Sequence, residues 1–241
     1  GTLLQGDGAV LVQGTVTNTG RTLVLDGTTA LRLQGGQLIG GAVAGPGPLL
    51  VPQFQSALLD AVTLAADLTV ENSATLTVQN GLTLQGATVT LNDTSHDGVP
   101  TRLDFQGAQT LGGTGEVVFA GATGQHFLQP TAGSLTLGPG ITVHGPQSGT
   151  VGNANLPLVN QGTIAAETGG KTLTVQGSTV THEGTLEARN GGRLFVSNVL
   201  NSGTVTIGPT SELAGGTLTA AGGSLTLNDA QWGSGLQLLG G

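Results

Sequence analysis

Apolar and polar residues alternate over short stretches in the last third of the chain, and the alternating pattern repeats. Three successive stretches open with a polar pair, then Gly-Thr and an apolar residue; their glycines, Gly162, Gly184 and Gly203, lie 22 and 19 residues apart. Side chains at every second position of a strand point to the same face, so the pattern predicts strands with one buried face. The predicted inward residues are Ile164, Leu186 and Val205, followed by Ala166, Ala188 and Ile207.

A second alternating strand follows each of these strands after a short turn. Its predicted inward residues are Leu173 and Val175, then Leu194 and Val196. A third strand completes each unit, and residues 73–93 show the same pattern of three alternating strands upstream. A period of about 20 residues with short strands and glycine turns indicates a solenoid, in which stacked units bury a continuous core. We therefore predict an all-β fold: a single parallel β-helix over residues 1–241, with three short strands per rung and roughly 11–12 rungs.

Three segments interrupt this pattern and predict irregular rungs or loops. They are residues 44–54, which carry three prolines, residues 92–104, which are polar, and residues 138–157. Proline cannot donate a hydrogen bond to a strand ladder, which is the reason for including the first segment. The stretch from Phe54 to Val62 is the one place where the spacing predicts a helical turn. The glycines of the repeat are expected to adopt positive φ in tight turns.

Composition narrows the classes of function. Hydrophobic residues make up 37% of the chain, charged residues only 8%, and the mean hydropathy is +0.18, which argues against disorder. The formal charge of −8 argues against nucleic acid or an anionic membrane surface as a partner. Without Cys, the chain offers no disulfide and no thiolate metal site. No apolar run reaches the ~18 residues of a membrane span, and the first residues suggest an excised piece of a longer polypeptide.

The Gly-Thr repeats at 162–164, 184–186 and 203–205 resemble the solenoids of large bacterial exoproteins, namely autotransporter passengers and filamentous-haemagglutinin-type adhesins. The phrases LTLGPGITVHG and LVNQGTI are similar to those proteins as well. The resemblance covers most of the chain, but the matching residues are scaffold positions. It implies a right-handed parallel β-helix, export to the cell surface or medium, and a role in adhesion or as a spacer.

Few residues are candidates for chemistry. Asp93, His96, Asp97 and Asp104 form the densest acidic group. Carboxylates in such a group bind Ca²⁺ or act as general acid and base, but a solvated loop stabilised by Asx turns explains them better. Trp232 either stacks on a sugar ring or covers the core near the C-terminal end. We predict no catalytic residue and no cofactor.

Other polar residues are given structural interpretations. The isolated histidines are interpreted as turn or surface residues, and the charges near residues 183–193 as an exposed rung of mixed sign. Thr-x-Thr pairs recur along the chain, as in some ice-binding solenoids, but their spacing predicts that they fall on different faces. The histidines are His126, His144 and His182, and the charged residues are Glu183, Glu187, Arg189 and Arg193.

Together these features favour a non-catalytic stalk or adhesin segment of a large exported bacterial surface protein. Its expected partners are host-surface or matrix glycans or proteins, or neighbouring solenoid segments, and its expected location is extracellular. A carbohydrate-binding or polysaccharide-degrading β-helix is the alternative, and it requires two carboxylates from adjacent rungs in one groove. An ice-binding solenoid and a scaffold that joins end to end through uncapped rungs are further alternatives.

Overall fold

The computed structural model describes residues 2–4, 8–95, 97–122 and 125–240, with side chains from residue 8 onward. Within these ranges the chain forms thirty strands and no helix, which confirms the predicted all-β class. The strands are β1 (Thr2–Leu4), β2 (Gly8–Val12), β3 (Thr15–Thr17), β4 (Thr22–Leu25), β5 (Thr29–Leu33), β6 (Gln37–Ile39), β7 (Ala42–Ala44), β8 (Leu49–Val51), β9 (Ser56–Ala65), β10 (Leu68–Glu71), β11 (Thr75–Asp93), β12 (Thr101–Gln106), β13 (Gln109–Gly121), β14 (His126–Ala132), β15 (Leu135–Leu137), β16 (Gly140–His144), β17 (Gly149–Val151), β18 (Leu158–Asn160), β19 (Thr163–Ala166), β20 (Thr172–Val175), β21 (Val180–His182), β22 (Thr185–Ala188), β23 (Arg193–Val196), β24 (Val199–Asn201), β25 (Thr204–Ile207), β26 (Glu212–Gly215), β27 (Thr217–Ala220), β28 (Ser224–Leu227), β29 (Gln231–Trp232) and β30 (Gln237–Leu239).

The strands stack into three parallel sheets that run the length of a solenoid. Sheet 1 begins with β1 and β4 and ends with β27 and β30, sheet 2 runs from β2 to β28, and sheet 3 runs from β3 to β29. The long strands β9, β11 and β13 bend around corners, so each contributes to more than one sheet. One strand from each sheet makes a rung, and the solenoid has about 11 turns of roughly 21 residues, as the sequence predicted.

Equivalent residues of successive rungs stack inside the solenoid. Ile164 pairs with Leu186, which pairs with Val205, and all three side chains are fully buried. The same holds for the neighbouring column Ala166, Ala188 and Ile207 in sheet 2, and for the sheet 3 columns Leu173–Leu194 and Val175–Val196. These aliphatic columns join into one continuous core along the rod. Burial of this apolar surface is the main favourable term in the stability of the fold.

The repeat glycines lie at the corner between sheets 1 and 2, and the expectation of positive φ is wrong for them. None of Gly162, Gly184 and Gly203 has a positive φ. A Cβ atom would instead lie 2.3 Å from the carbonyl oxygen of Ile141 at Gly162, 2.1 Å from that of Gly162 at Gly184, and 2.4 Å from that of Gly184 at Gly203. Glycine is needed at this corner because successive rungs approach too closely for any side chain.

The predicted helical turn at 54–62 is also wrong, because these residues belong to the start of β9 and the turn before it. The buried positions are Ala57 and Leu59 before a corner, and Val62 and Leu64 after it. Ala61 makes the corner with a positive φ of 53°. Buried residues alternate on each side of the corner, and the two alternating patterns read together give the spacing of apolar residues that is typical of a helix.

The three irregular segments contain both strands and connections. Residues 44–54 include β8, which pairs with β5 and β10, and their prolines lie in the connections. Residues 92–104 include the end of β11, a loop and the start of β12. Residues 138–157 include β16 and β17, which pair with the rungs before and after them. The parallel ladders therefore continue past all three segments.

Candidate functional site

The acidic loop after β11 is held together by its own hydrogen bonds. The carboxylate of Asp93, which is buried, accepts hydrogen bonds from the backbone N–H and the hydroxyl of Ser95, at 3.0 and 2.8 Å. The carboxylate of Asp97 accepts from the N–H of Val99 at 2.9 Å and from the hydroxyl of Ser73 at 2.8 Å. The bond from Val99, more than any other contact, lowers the pKa of Asp97. This is the pattern of Asx turns; His96 lies outside the described residues.

Asp104 hydrogen-bonds to a different part of the solenoid. It faces outward on sheet 3, where its Oδ1 accepts a hydrogen bond of 3.0 Å from Nε2 of Gln129 in the next rung. Burial raises the pKa of Asp104, although the bond from Gln129 and the charge of Arg102 oppose the shift. Among the described residues, no group of three or more His, Asp and Glu side chains is placed to hold a metal ion.

Trp232 continues an interior column. It pairs with Leu213, which pairs with Leu194, so its ring lies at the end of the sheet 3 core column. Its side chain is still 51% exposed because β29 belongs to the last full rung that the structure describes. Trp232 therefore lies over the core at this end of the rod, both as a residue that covers the core and as one that could stack on a sugar ring.

Five charged or polar residues form a chain across four rungs on the outer face of sheet 2 and its corner with sheet 3. We call this group the sheet-2 charge chain: Glu116, His144, Glu167, Glu187 and Arg189. Nε2 of His144 lies 3.4 Å from Oε2 of Glu116, and its Nδ1 lies 2.6 Å from Oε1 of Glu167. Arg189 donates to Glu167 at 2.5 Å and to Glu187 at 2.7 Å. The chain links residues that lie more than 20 positions apart.

Contacts within the sheet-2 charge chain shift the pKa values of Glu167 and Arg189. Partial burial raises the pKa of Glu167, but hydrogen bonds from His144 and Arg189 outweigh it, so the net pKa lies below its ordinary value. The same bond to Glu167 raises the pKa of Arg189. Ala165 lies at an outward position of β19 between His144 and Glu187, yet it is only 1% exposed. The sequence analysis grouped Glu187 and Arg189 with Arg193 as one exposed rung of mixed sign, but in the structure Arg193 forms an ion pair with Glu212 on sheet 3.

A buried polar column lies at the corner between sheets 1 and 2. It consists of Asn160, His182 and Asn201, which pair in register and are each at most 3% exposed. Nδ2 of Asn160 donates to Nδ1 of His182 at 3.2 Å, Nε2 of His182 donates to the carbonyl of Thr204 at 3.1 Å, and Asn201 bonds to the carbonyl of Ser224 at 3.1 Å. Burial lowers the pKa of His182, although contacts of its ring with the backbone of Thr204 and of Asn160 oppose the shift.

The interpretation of the histidines as turn or surface residues is wrong for His182 and also for His126. His126 is fully buried, its ring stacks on Phe119 with centroids 5.5 Å apart, and its two nitrogens contact the carbonyl oxygens of Ala120 and Ser148 at 2.7 and 2.8 Å. The sequence did carry a signal for the buried column, since its members are the first residues of the polar pairs that open each repeat. Buried polar side chains of this kind donate hydrogen bonds to backbone carbonyl groups at the corners.

Sheet 3 carries two outward-facing, partly buried phenylalanines in the middle of the rod, Phe127 and Phe195. The guanidinium of Arg102 lies 4.9 Å from the ring centre of Phe127, and that of Arg193 lies 5.7 Å from Phe195. An open groove of about 240 Å³ lies on the same sheet nearer the N-terminus. Three glutamines contribute to its lining, Gln37, Gln79 and Gln106, and Gln79 donates to Gln106 at 2.6 Å.

Comparison with known proteins found no match: no family model, no curated protein and no solved structure is similar to this chain at a significant level. In the part of the chain that the structure describes, no helix is long and apolar enough to cross a membrane.

Proposed function

We propose that this chain is a non-catalytic, stiff segment of a larger exported surface protein, acting as a stalk or adhesin shaft. The observation that supports the proposal is the continuity of the ladders: each rung in the interior of the rod pairs in register with the rung before and the rung after it, in all three sheets. A bending motion would have to break many parallel hydrogen bonds at once. With about 11 turns spaced by ~4.8 Å, the rod spans roughly 50 Å.

The core supports the same proposal. Its columns are aliphatic, so each rung is held to its neighbours by burial along the whole length of the rod. The clustered charges also make structural contacts, because Glu167 of the sheet-2 charge chain joins three neighbouring rungs through its contacts with His144 and Arg189. The resemblance of the Gly-Thr repeat to bacterial exoproteins is the ground for proposing a surface location.

The test is a blot of the source cells with an antibody against this segment, before and after external protease is added. We expect a band much larger than 23.7 kDa that the protease removes. A blot against a cytoplasmic protein serves as the control for cell integrity. A protease-resistant intracellular band would contradict the surface location, and a small band in the medium would contradict the role of a segment within a larger protein.

Glycan binding on sheet 3 is a second candidate function. The observations that favour it are the outward Arg–Phe pairs around Phe127 and Phe195 and the groove lined by glutamines, since amide and aromatic groups are suited to sugar hydroxyls and ring faces. A glycan array probed with the purified chain tests it. Binding that is lost in Phe127→Ala and Phe195→Ala, and kept in Thr206→Ala on sheet 2, would support this function; no binding, or binding unchanged in both phenylalanine variants, would count against it.

A further inference from the structure

The chain contains two Asn-Gly sequences, and both lie at corners of the solenoid. They are Asn80–Gly81, inside β11, and Asn190–Gly191, between β22 and β23. Both asparagines are exposed and have a positive φ, of 54° and 55°. An Asn that precedes Gly is prone to spontaneous deamidation, because glycine has no side chain to shield its backbone nitrogen from the neighbouring carboxamide. The two sites therefore carry the same chemistry in different surroundings.

The Asn80 site is held by both neighbouring rungs. Nδ2 of Asn80 donates a hydrogen bond of 2.7 Å to Oδ1 of Asp60 in the preceding rung, and the N–H of Gly81 donates one of 2.5 Å to Oε1 of Gln109 in the following rung. The segments of β11 on either side of this pair are each bonded to the rung before and the rung after. Attack of the Gly81 nitrogen on the carboxamide requires these two bonds to break and the backbone between the paired segments to rotate.

The Asn190 site has fewer restraints. Residues 189–192 form a turn outside the strands, closed by a hydrogen bond of 2.9 Å from the N–H of Gly192 to the carbonyl of Arg189. The N–H of Gly191 donates to Oγ of Ser211 at 3.1 Å. The carboxamide of Asn190 has no hydrogen bond within the part of the chain that the structure describes. A turn between strands opens locally at a lower free energy than a strand paired on both sides.

We propose that Asn190 is the deamidation site of the folded chain, and that the contacts with Asp60 and Gln109 protect Asn80. In this reaction the backbone nitrogen of Gly191 loses its proton and forms a bond to Cγ of Asn190. The bond between Cγ and Nδ2 breaks, and the amino group leaves with a proton as ammonia. Water then opens the cyclic imide at either of its carbonyl groups, which gives aspartate or isoaspartate. The reaction needs no reagent besides water, and the proposal does not depend on the stalk role.

Either product disturbs the corner between sheets 2 and 3. Isoaspartate adds a methylene group to the main chain inside a turn that has no spare room, since a Cβ atom at Gly192 would lie 2.2 Å from the carbonyl oxygen of Ala166. Aspartate places a new carboxylate beside Arg189, which already donates to Glu167 and Glu187. We therefore expect faster hydrogen exchange at the N–H of Gly192 in the deamidated chain.

The test is a time course of deamidation at mildly alkaline pH, followed by peptide mass spectrometry, for the folded chain and for the chain in denaturant. In the folded chain Asn190 should react at least about tenfold faster than Asn80, a ratio that one additional hydrogen bond of ~1.4 kcal/mol provides. In denaturant the two rates should become similar, because the surrounding rungs no longer act on either site. Asn198 has the same φ of 55° but precedes Val199, so it serves as the unreactive control.

Gln109→Ala removes the acceptor of the Gly81 N–H and should accelerate the reaction of Asn80 in the folded chain, while the rate at Asn190 stays unchanged. Asp60→Ala removes the other contact and is measured in the same way if Gln109→Ala lowers the melting temperature. Equal rates at the two sites in the folded wild-type chain would overturn the proposal. So would a folded chain in which neither site reacts while both react in denaturant. If both variants leave Asn80 unreactive, these contacts do not protect it and that part of the proposal is wrong.

Discussion

Substitution of Leu186 provides the sharpest test of how the rungs stack. Leu186 is fully buried in the middle of a column between Ile164 and Val205. Its neighbour Thr185 lies one position earlier on the same strand and faces outward. Because strand side chains alternate with a period of two, a register error of one residue would exchange the environments of these two positions. The same substitution at both positions therefore tests the register directly.

The structure sets the expected sizes of the effects. Leu186→Ala leaves a cavity in an aliphatic column and should lower the free energy of unfolding by about 2–5 kcal/mol. Leu186→Asp also places a carboxyl group among apolar side chains without a hydrogen-bond donor, which adds at least ~1–3 kcal/mol. Thr185→Asp keeps its new carboxylate at the surface, where substitutions usually change stability by less than about 0.5 kcal/mol.

Hydrogen exchange is the appropriate assay, because solenoids can unfold locally and a single melting temperature then averages over different regions. In Leu186→Asp we expect faster exchange of the amides that join β22 to its neighbours, including those of Thr185 and Thr204, which bond to the carbonyls of Gly162 and Gly184. Exchange in β4 and β5, far along the rod, should change much less. Equal effects of Leu186→Asp and Thr185→Asp, or a near-wild-type Leu186→Asp, would refute the register.

Three further predictions concern groups that the structure places in contact. Burial lowers the pKa of His182 below its ordinary value of 6.5, so the unfolded chain binds a proton at a higher pH than the folded chain does. The free energy of unfolding should therefore fall as the pH drops below about 6.5. His182→Asn should remove this part of the pH dependence, measured by thermal unfolding at a series of pH values. The pKa of Glu167 is lowered instead, so its contribution is present above about 4.5 and lost as the pH falls through the folded value; Glu167→Gln should flatten the acid limb of the same titration. Gly184→Ala should destabilise the rod strongly because its Cβ would lie 2.1 Å from a carbonyl oxygen, whereas Gly14→Ala, with open space around it, should be neutral in chemical denaturation.

Some features of the chemistry were visible in the sequence and others were not. The polar pairs that open the repeats were visible, but His182, the first member of one pair, was expected in a turn or at the surface. A buried His is recognisable only when the structure supplies its partners, here Asn160 and the carbonyl of Thr204. Asp93 and Asp97 were grouped with Asp104 because they are close in sequence, yet the bond of Asp104 is to Gln129, in the next rung. Proximity in sequence is a poor guide here, because chain neighbours diverge at every corner.

The sequence by itself determined the class of fold, the length of the repeat and the inward position of residues such as Leu186. These properties follow from local alternation and from the need to bury one face of every strand. Only the tertiary structure decided which residues meet across rungs: His144 lies between Glu116 and Glu167, and every Asp, Glu, Lys and Arg residue that the structure describes lies outside the strand segments of sheet 1. The physical reason is that rung lengths vary, as the 22- and 19-residue spacings do, so the outer neighbour of a residue depends on the turns between the strands.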